Sequence, residues 1–263
     1  MAAHPTPPGP ASHWRVLPTE VDAPSRLLEG SEHLLEDLRQ DPTPTLRWYR
    51  STDTAIVLGR GQRRLDLQAQ PGVDVVHRAS GGGAVLLTPG MLSLDVALPA
   101  EHPWLDQHDL GSVFLEVGTR WATALSSLGV AEPEVHRGPS TTPRASDART
   151  ALVAAVCFAS LGRGEITVGG RKLVGLSQRR RRHGALIQCG LLRRWRPEAL
   201  LAALDADARD PEITRAAIGL DDLLDDPPED AAVIDAVTGA LSPEPTTPPE
   251  GAAATGSPRP SPR

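Results

Sequence analysis

His77-Arg78-Ala79-Ser80-Gly81-Gly82-Gly83-Ala84-Val85 is the stretch on which the reading of this chain turns. Three consecutive glycines remove every Cβ, so the backbone can take positive φ and bring its N–H groups close to an oxyanion or an acyl tail. Arg78 adds a fixed cation and Ser80 a hydroxyl, while Ala84 and Val85 lead into an apolar run. Taken alone, the run fits a flexible hairpin turn better than a binding loop. It is not a P-loop, because no Gly-Lys-Ser/Thr ending and no helix follow it.

Short extended runs flank this loop at residues 46–49, 55–58, 73–77, 84–87 and 91–98, each bounded by Gly, Pro, Asp or Ser as strands are. Upstream, Leu27, Leu28, Leu34, Leu35 and Leu38 fall near one face of a helix over residues 25–40, whose middle Gly30 weakens. Downstream, Val113, Val117, Trp121, Ala124, Leu125 and Leu128 recur at spacings of three and four, which predicts a helix over 111–128 packed on the sheet. A polar, Pro-containing loop over 133–150 precedes an apolar run at 152–158. Extended runs at 165–168 and 172–176 then enclose Gly169-Gly170 as a hairpin. A strand over 185–192 and a helix begun by Pro197 and running to residue 204 complete the pattern. The expectation is an α+β (α/β) fold, a mixed, mainly antiparallel sheet flanked by helices, in a single domain over residues 13–241. Residues 1–12 and 242–263 are rich in Pro, Ala, Ser, Thr and Gly, and both are expected to be disordered.

Composition narrows the function classes. Against 33 acidic residues stand 27 Lys and Arg, a net charge of -6, so affinity for nucleic acid or a membrane surface cannot rest on overall charge. Aromatic residues make up 3% of the chain, too few for a base-stacking surface. Two cysteines, Cys157 and Cys189, form no disulfide framework, and no Cys/His cluster has metal-ligand spacing, so no metal site is expected. No apolar stretch reaches membrane-spanning length, and the first twelve residues lack the pattern of a signal peptide; a cytoplasmic protein is expected. One local exception is Arg179-Arg180-Arg181-Arg182-His183, with Arg171, Lys172, Arg193, Arg194 and Arg196 nearby. Three readings stand for it: a nucleic-acid module, a docking face for acidic carrier domains, and a solvated hairpin tip.

Two further constellations bear on chemistry. Lys172, on an extended run between glycine positions including Gly170 and Gly175, can reach across a pocket as a point charge, or lie solvated on a hairpin. Cys157, inside the apolar run 153–159, is either an inert core residue or a nucleophile.

In order along the chain these segments resemble one family. The run at residues 77–85 resembles the R-R-x-S-G-G-G-A-V signature of the lipoate-protein ligases and lipoyl/octanoyl transferases, which are related in fold to the biotin-protein ligases. Residues 169–178, G-G-R-K-L-V-G-L-S-Q, resemble that family's G-R-K-[IV]-x-G-S-A-Q segment, and Gly59-Arg60-Gly61-Gln62 resembles its Gly-Arg-x-Gln element. The resemblance covers roughly residues 25 to 205. It implies a biotin/lipoate protein ligase-like catalytic domain that attaches an octanoyl or lipoyl group to a carrier-protein lysine. Cys157-Phe158 stands fifteen positions before Lys172, and Glu165 seven before it, as in the cysteine-dependent octanoyltransferase branch.

On that branch Cys157 would take the acyl group from an acyl-carrier protein as a thioester, and no cofactor is needed. Lys172 would be catalytic, favouring the thiolate and, with the backbone N–H groups of residues 80–83, stabilising the oxyanion. Arg78, Ser80, Gly81, Gly82, Gly83, Ala84, Val85 and Gly175 would bind the acyl group. The acceptor would be a lipoyl domain or a glycine-cleavage H-type protein. The ligase branch would instead use free lipoate, ATP and Mg²⁺, with Cys157 structural, and a non-catalytic acyl- or carrier-binding paralogue is the third reading. Three segments depart from the family pattern: His77 replaces its first arginine, Leu87-Thr88 its His-Asp, and Gln188-Cys189 its His-His.

Overall fold

The computed structural model describes residues 13–207 and 209–242. The segment 1–12 and, Ser242 apart, the tail, both read above as disordered, lie outside the described residues. In chain order the elements are β1 (Arg15–Val16), β2 (Glu20–Asp22), α1 (Pro24–Asp37), β3 (Thr45–Ser51), β4 (Ala55–Leu58), β5 (Asp74–His77), β6 (Val85–Leu87), β7 (Met91–Pro99), α2 (Ser112–Ser127), β8 (Glu134–Val135), α3 (Ala148–Ala155), β9 (Ile166–Val168), β10 (Arg171–Arg181), β11 (Gly184–Leu192), α4 (Glu198–Ala203), α5 (Pro211–Ala216) and α6 (Asp230–Leu241). Eight strands form one sheet in the order β1-β3-β7-β11-β10-β9-β8, with β2 also on β3, and β5-β4-β6 form a second. Long pairings in the large sheet, β3 with β7, β7 with β11 and β11 with β10, are antiparallel, so the expected mainly antiparallel sheet with flanking helices is what forms.

Alternation along the strands gives the large sheet two unlike faces. Leu46 and Trp48 of β3, Leu94 and Val96 of β7, Ile187 of β11 and Val174 of β10 point to one side, where Val117, Trp121 and Leu125 of α2 and Val233 and Val237 of α6 cover them. The opposite face is polar in its middle. Cross-strand register there aligns Arg47 with Asp95, Asp95 with Gln188, and Gln188 with Ser177, one row across four strands. Beside it runs a second row, Tyr49, Ser93, Gly190 and Gly175, whose two glycines leave a trough. On the other side, Ala97 and Leu186 are covered by Leu34, Leu35 and Leu38 of α1.

α1 explains how a charged row can be buried. Ser31 Oγ donates to Asp95 Oδ2 at 2.6 Å, and Arg47 Nη1 donates to the same oxygen at 3.0 Å and to the carbonyl of Leu27 at 3.0 Å. A Cβ on Gly30 would stand 2.6 Å from Arg47 Nη2, so the glycine that weakens the helix in sequence is the gap through which the guanidinium passes. Glu20 completes the pairing of Arg47 at 2.7 Å. Burial outweighs these partners for Asp95, whose carboxyl is pushed up to about 6.

One stretch forms differently from its sequence reading. The polar loop 133–150 contains β8 and ends inside α3, and the apolar run 152–158 is the rest of that helix followed by a 3-10 turn, Cys157–Ala159. Asp147 caps α3 by accepting from the backbone N–H of Thr150 at 2.8 Å.

Candidate active site

Cys157 is placed by the glycine loop itself. The backbone N–H of Ala84 donates to the carbonyl of Ala155 at 2.7 Å, and that of Cys157 returns a bond to the carbonyl of Ala84 at 2.9 Å. The two backbones approach so closely that a Cβ on Gly83 would lie 2.7 Å from the nitrogen of Cys157 and 2.8 Å from the carbonyl oxygen of Ala155. No side chain fits at 83 without moving the Cys157 turn. Gln62, from the Gly-Arg-x-Gln element, adds a third tether by donating from Nε2 to the carbonyl of Ala155 at 2.9 Å. The thiol emerges against the loop, with Sγ 3.7 Å from the position a Cβ on Gly82 would occupy.

Arg78 and Ser80 shape the loop from inside. Arg78 is buried, and its guanidinium donates to the carbonyls of Gly81 (2.8 Å from Nη2) and Gly83 (2.8 Å). Ser80 Oγ donates to Gln188 Oε1 at 2.6 Å and accepts from Ser177 Oγ at 3.1 Å, so the polar row of the large sheet ends on the glycine loop. The carbonyls of Gly81 and Gly83 are thereby occupied. The loop's backbone N–H groups at residues 80–83 make no hydrogen bond to any other described residue, so the loop that meets the thiol at Gly82 keeps free donors for an oxygen carrying negative charge.

Lys172 is 1% exposed. Its ammonium donates to the carbonyls of Cys157 (2.9 Å) and Ser160 (3.1 Å) and pairs with Glu165 Oε2 at 2.6 Å, which occupies all three N–H groups. Glu165 accepts in turn from the backbone N–H groups of Gly162 (2.6 Å) and Leu176 (3.0 Å). The pair fastens the turn bearing Cys157 to β10 from below.

Between the two sheets lies a cavity of about 70 Å³ lined by Cys157, Arg78, Val85 and Gly175 together with Val57, Leu87, Met91 and Leu176. Of the ten residues assigned to the site from sequence, Arg78, Val85, Cys157 and Gly175 line it, whereas Ser80 and the three glycines are not among its lining residues. Ala84 turns into the core, and Lys172 meets the Cys157 turn at its carbonyl. Two departures from the family pattern acquire roles here. Leu87 supplies apolar wall, and Gln188 holds Ser80. Sequence reasoning missed Gln62 and Gln188 as tethers of the loop, along with Arg47, Asp95 and Ser177 of the polar row; only strand register could have revealed that row.

The second cysteine differs in kind. Cys189 is packed in the core cluster under α2 with part of its surface on the wall of the same cavity, and burial pushes its thiol far up. Among the described residues no group of three or more His, Cys, Asp and Glu is arranged to hold a metal ion. None of their helices is long and apolar enough to cross a membrane.

Comparison with known proteins accords with this geometry. The family model of the lipoyl protein ligase A/B catalytic domain matches residues 24–242. Octanoyltransferase LipM of Moorella thermoacetica is 32% identical over 192 residues, covering 68% of this chain and 66% of its own length. The enzyme of the same name from Carboxydothermus hydrogenoformans is 31% identical over 164 residues, covering 59% and 56%. The chain therefore spans just under two thirds of one relative and little over half of the other. A crystal structure of lipoate-protein ligase A bound with ATP shares the fold, with a TM-score of 0.62 over 87% of this chain and 83% of that one, at 19% identity.

Proposed function

Because the chain belongs to the lipoyl protein ligase A/B catalytic-domain family, we propose that it moves an octanoyl group from an acyl-carrier thioester to a lysine of a lipoyl domain or a glycine-cleavage H-type protein, by way of a thioester on Cys157. The observation that carries this reading is the position of the Cys157 thiol, against a glycine loop whose backbone N–H groups are unpaired and in the wall of an apolar cavity. Roughly 10–15 Å³ of such space holds one water. The cavity's 70 Å³ therefore admits about half a dozen methylene-sized groups, the scale of a medium-chain acyl tail.

The chemistry follows from that placement. The Cys157 thiolate adds to the thioester carbonyl, the oxyanion receives hydrogen bonds from the N–H groups of residues 80–83, and the carrier's sulfur leaves and takes up a proton. One thioester replaces another, so no ATP is consumed. The neutral ε-amine of the acceptor lysine then adds to the acyl-enzyme, its surplus proton passes to water as the amide forms, and Cys157 leaves as thiolate. Lys172 positions the nucleophile through its carbonyl, with Glu165 holding the ammonium in place. Both cysteines are free thiols, which suits a reducing compartment such as the cytoplasm, and residues 13–241 would act as one catalytic domain.

Intact-protein mass spectrometry after mixing with octanoyl-carrier protein, without ATP, tests the reading. An octanoyl adduct is expected on the wild type and on Cys189→Ser and is expected to be absent from Cys157→Ser. No adduct, with transfer of free lipoate to a lipoyl domain only when ATP and Mg²⁺ are supplied, would overturn it in favour of the ligase.

A further inference from the structure

Outside the glycine loop, the acidic chain gathers five arginines around one hollow. Arg60, Arg63, Arg179, Arg180 and Arg181 line an open space of about 440 Å³, with Ala79 of the loop at its inner edge. Arg179 pairs with Glu32 at 3.1 Å, and Arg180 donates to the carbonyl of Asp106 at 2.9 Å. Arg60, Arg63 and Arg181 are exposed and have no ion-pair partner among the described residues. Several guanidiniums left unpaired at one place, in a chain with net charge -6, form a local anion site that folding itself does not use.

The position of the hollow is fixed by β10. Gly175, Ser177, Arg179 and Arg181 lie on one face of that strand. Gly175 lines the Cys157 cavity, Ser177 is hydrogen-bonded to Ser80 of the glycine loop, and Arg179 and Arg181 line the hollow. From Gly175 to Arg179 is four residues, a run of about 13 Å along the strand. A phosphopantetheine arm has about thirteen bonds between phosphorus and sulfur, the reach of a little over four extended residues, about 15 Å.

We propose that the arginine hollow binds the phosphodiester of the donor's phosphopantetheine arm, which then runs past Ala79 and the glycine loop to deliver its thioester to Cys157. The assignment rests on the transferase reading given above. It makes the phosphate, and not the carrier's folded surface alone, part of what the site recognises.

Acylation of Cys157 by S-octanoyl-pantetheine and by S-octanoyl-4′-phosphopantetheine, followed by mass and by initial rate, tests it. In the wild type the phosphate is expected to lower KM by roughly ten-fold or more with kcat little changed, the worth of charge-assisted hydrogen bonds. In Arg60→Ala/Arg181→Ala the ratio of the two KM values is expected to fall toward one. Arg137→Ala, which removes the same type of charge after β8, is the control that keeps the wild-type ratio. S-octanoyl-coenzyme A and octanoyl-carrier protein, which both contain the phosphopantetheine unit, should show the same arginine dependence, and a lower KM for the carrier would measure its added surface. Equal KM values for the two small donors in the wild type would overturn the phosphate site while leaving the transferase intact. Failure of every donor to acylate Cys157 would overturn both.

Discussion

The ammonium of Lys172 donates to the backbone carbonyl of Cys157 at 2.9 Å, so the lysine reaches the nucleophile through the main chain. Its charge is balanced at 2.6 Å by Glu165 in a place where both side chains are buried. Lys172→Ala leaves a buried carboxylate without its counter-ion and is expected to cost about 3–5 kcal/mol. Lys172→Met/Glu165→Gln removes both charges and should unfold nearer the wild-type midpoint in urea. If the lysine serves the reaction as well as the fold, single-turnover acylation of that double variant stays slow although its stability recovers.

Gly83 faces the backbone of Cys157 with no room between them. In Gly83→Ala the new Cβ stands 2.7 Å from the Cys157 nitrogen, and backbone lies on both sides of the clash. Overpacking of this kind costs about 1–3 kcal/mol. The larger effect is on rate: displacement of the thiol by a fraction of an ångström to one ångström is expected to slow acylation by up to about 100-fold. Stopped-flow acylation beside thermal melts separates the two effects.

Leu87 sets part of the cavity wall. Leu87→Ala is expected to lose about 2–5 kcal/mol through the space it opens. That space is also available to substrate. Competition between octanoyl and decanoyl donors should shift toward the longer chain in the variant, read as the ratio of the two adducts by mass.

His102 reports on acid stability. It sits between Trp14 and Trp104, with ring centroids 5.5 and 4.9 Å away. Burial first and the Arg120 charge second lower its imidazole to about 4. The unfolded chain, with an ordinary histidine near 6.5, binds the proton more readily, so its contribution to stability is present above about pH 6.5 and lost as pH falls toward 4. His102→Phe keeps the aromatic contacts and removes the titration. Melting temperatures from pH 7 to pH 4 should fall more steeply for the wild type than for the variant.

The parts of this fold that sequence made legible are those with local causes. Gly169-Gly170 sits between β9 and β10 as a two-residue turn between apolar runs, and α2 follows a helical period through Val113, Val117, Trp121 and Leu125. α3 was hidden because its cap, Asp147, lies in a stretch whose Pro and polar content reads as loop. The candidate site divides the same way. Its glycines, Cys157 and Lys172 stand in contiguous motifs, whereas Arg47, Asp95, Gln188 and Ser177 are brought into one row by register across four strands, which no local pattern encodes. Gly30 is the clearest instance, a penalty within its own helix that makes sense only once Arg47 is beside it.

The core is closed by its two sequence extremes. Trp48 of β3 packs edge-on against Trp121, its ring centroid 5.8 Å away, and its indole N–H donates at 3.0 Å to Thr238 Oγ1 of α6, 190 residues further along. During synthesis, then, β3 emerges early, α2 covers part of its largest side chain, and the indole N–H waits for nearly the whole of the described chain before it finds its partner. Until α6 arrives, the part of the apolar face of β3 and β7 that α2 leaves open is the surface on which a chaperone or another nascent chain would settle.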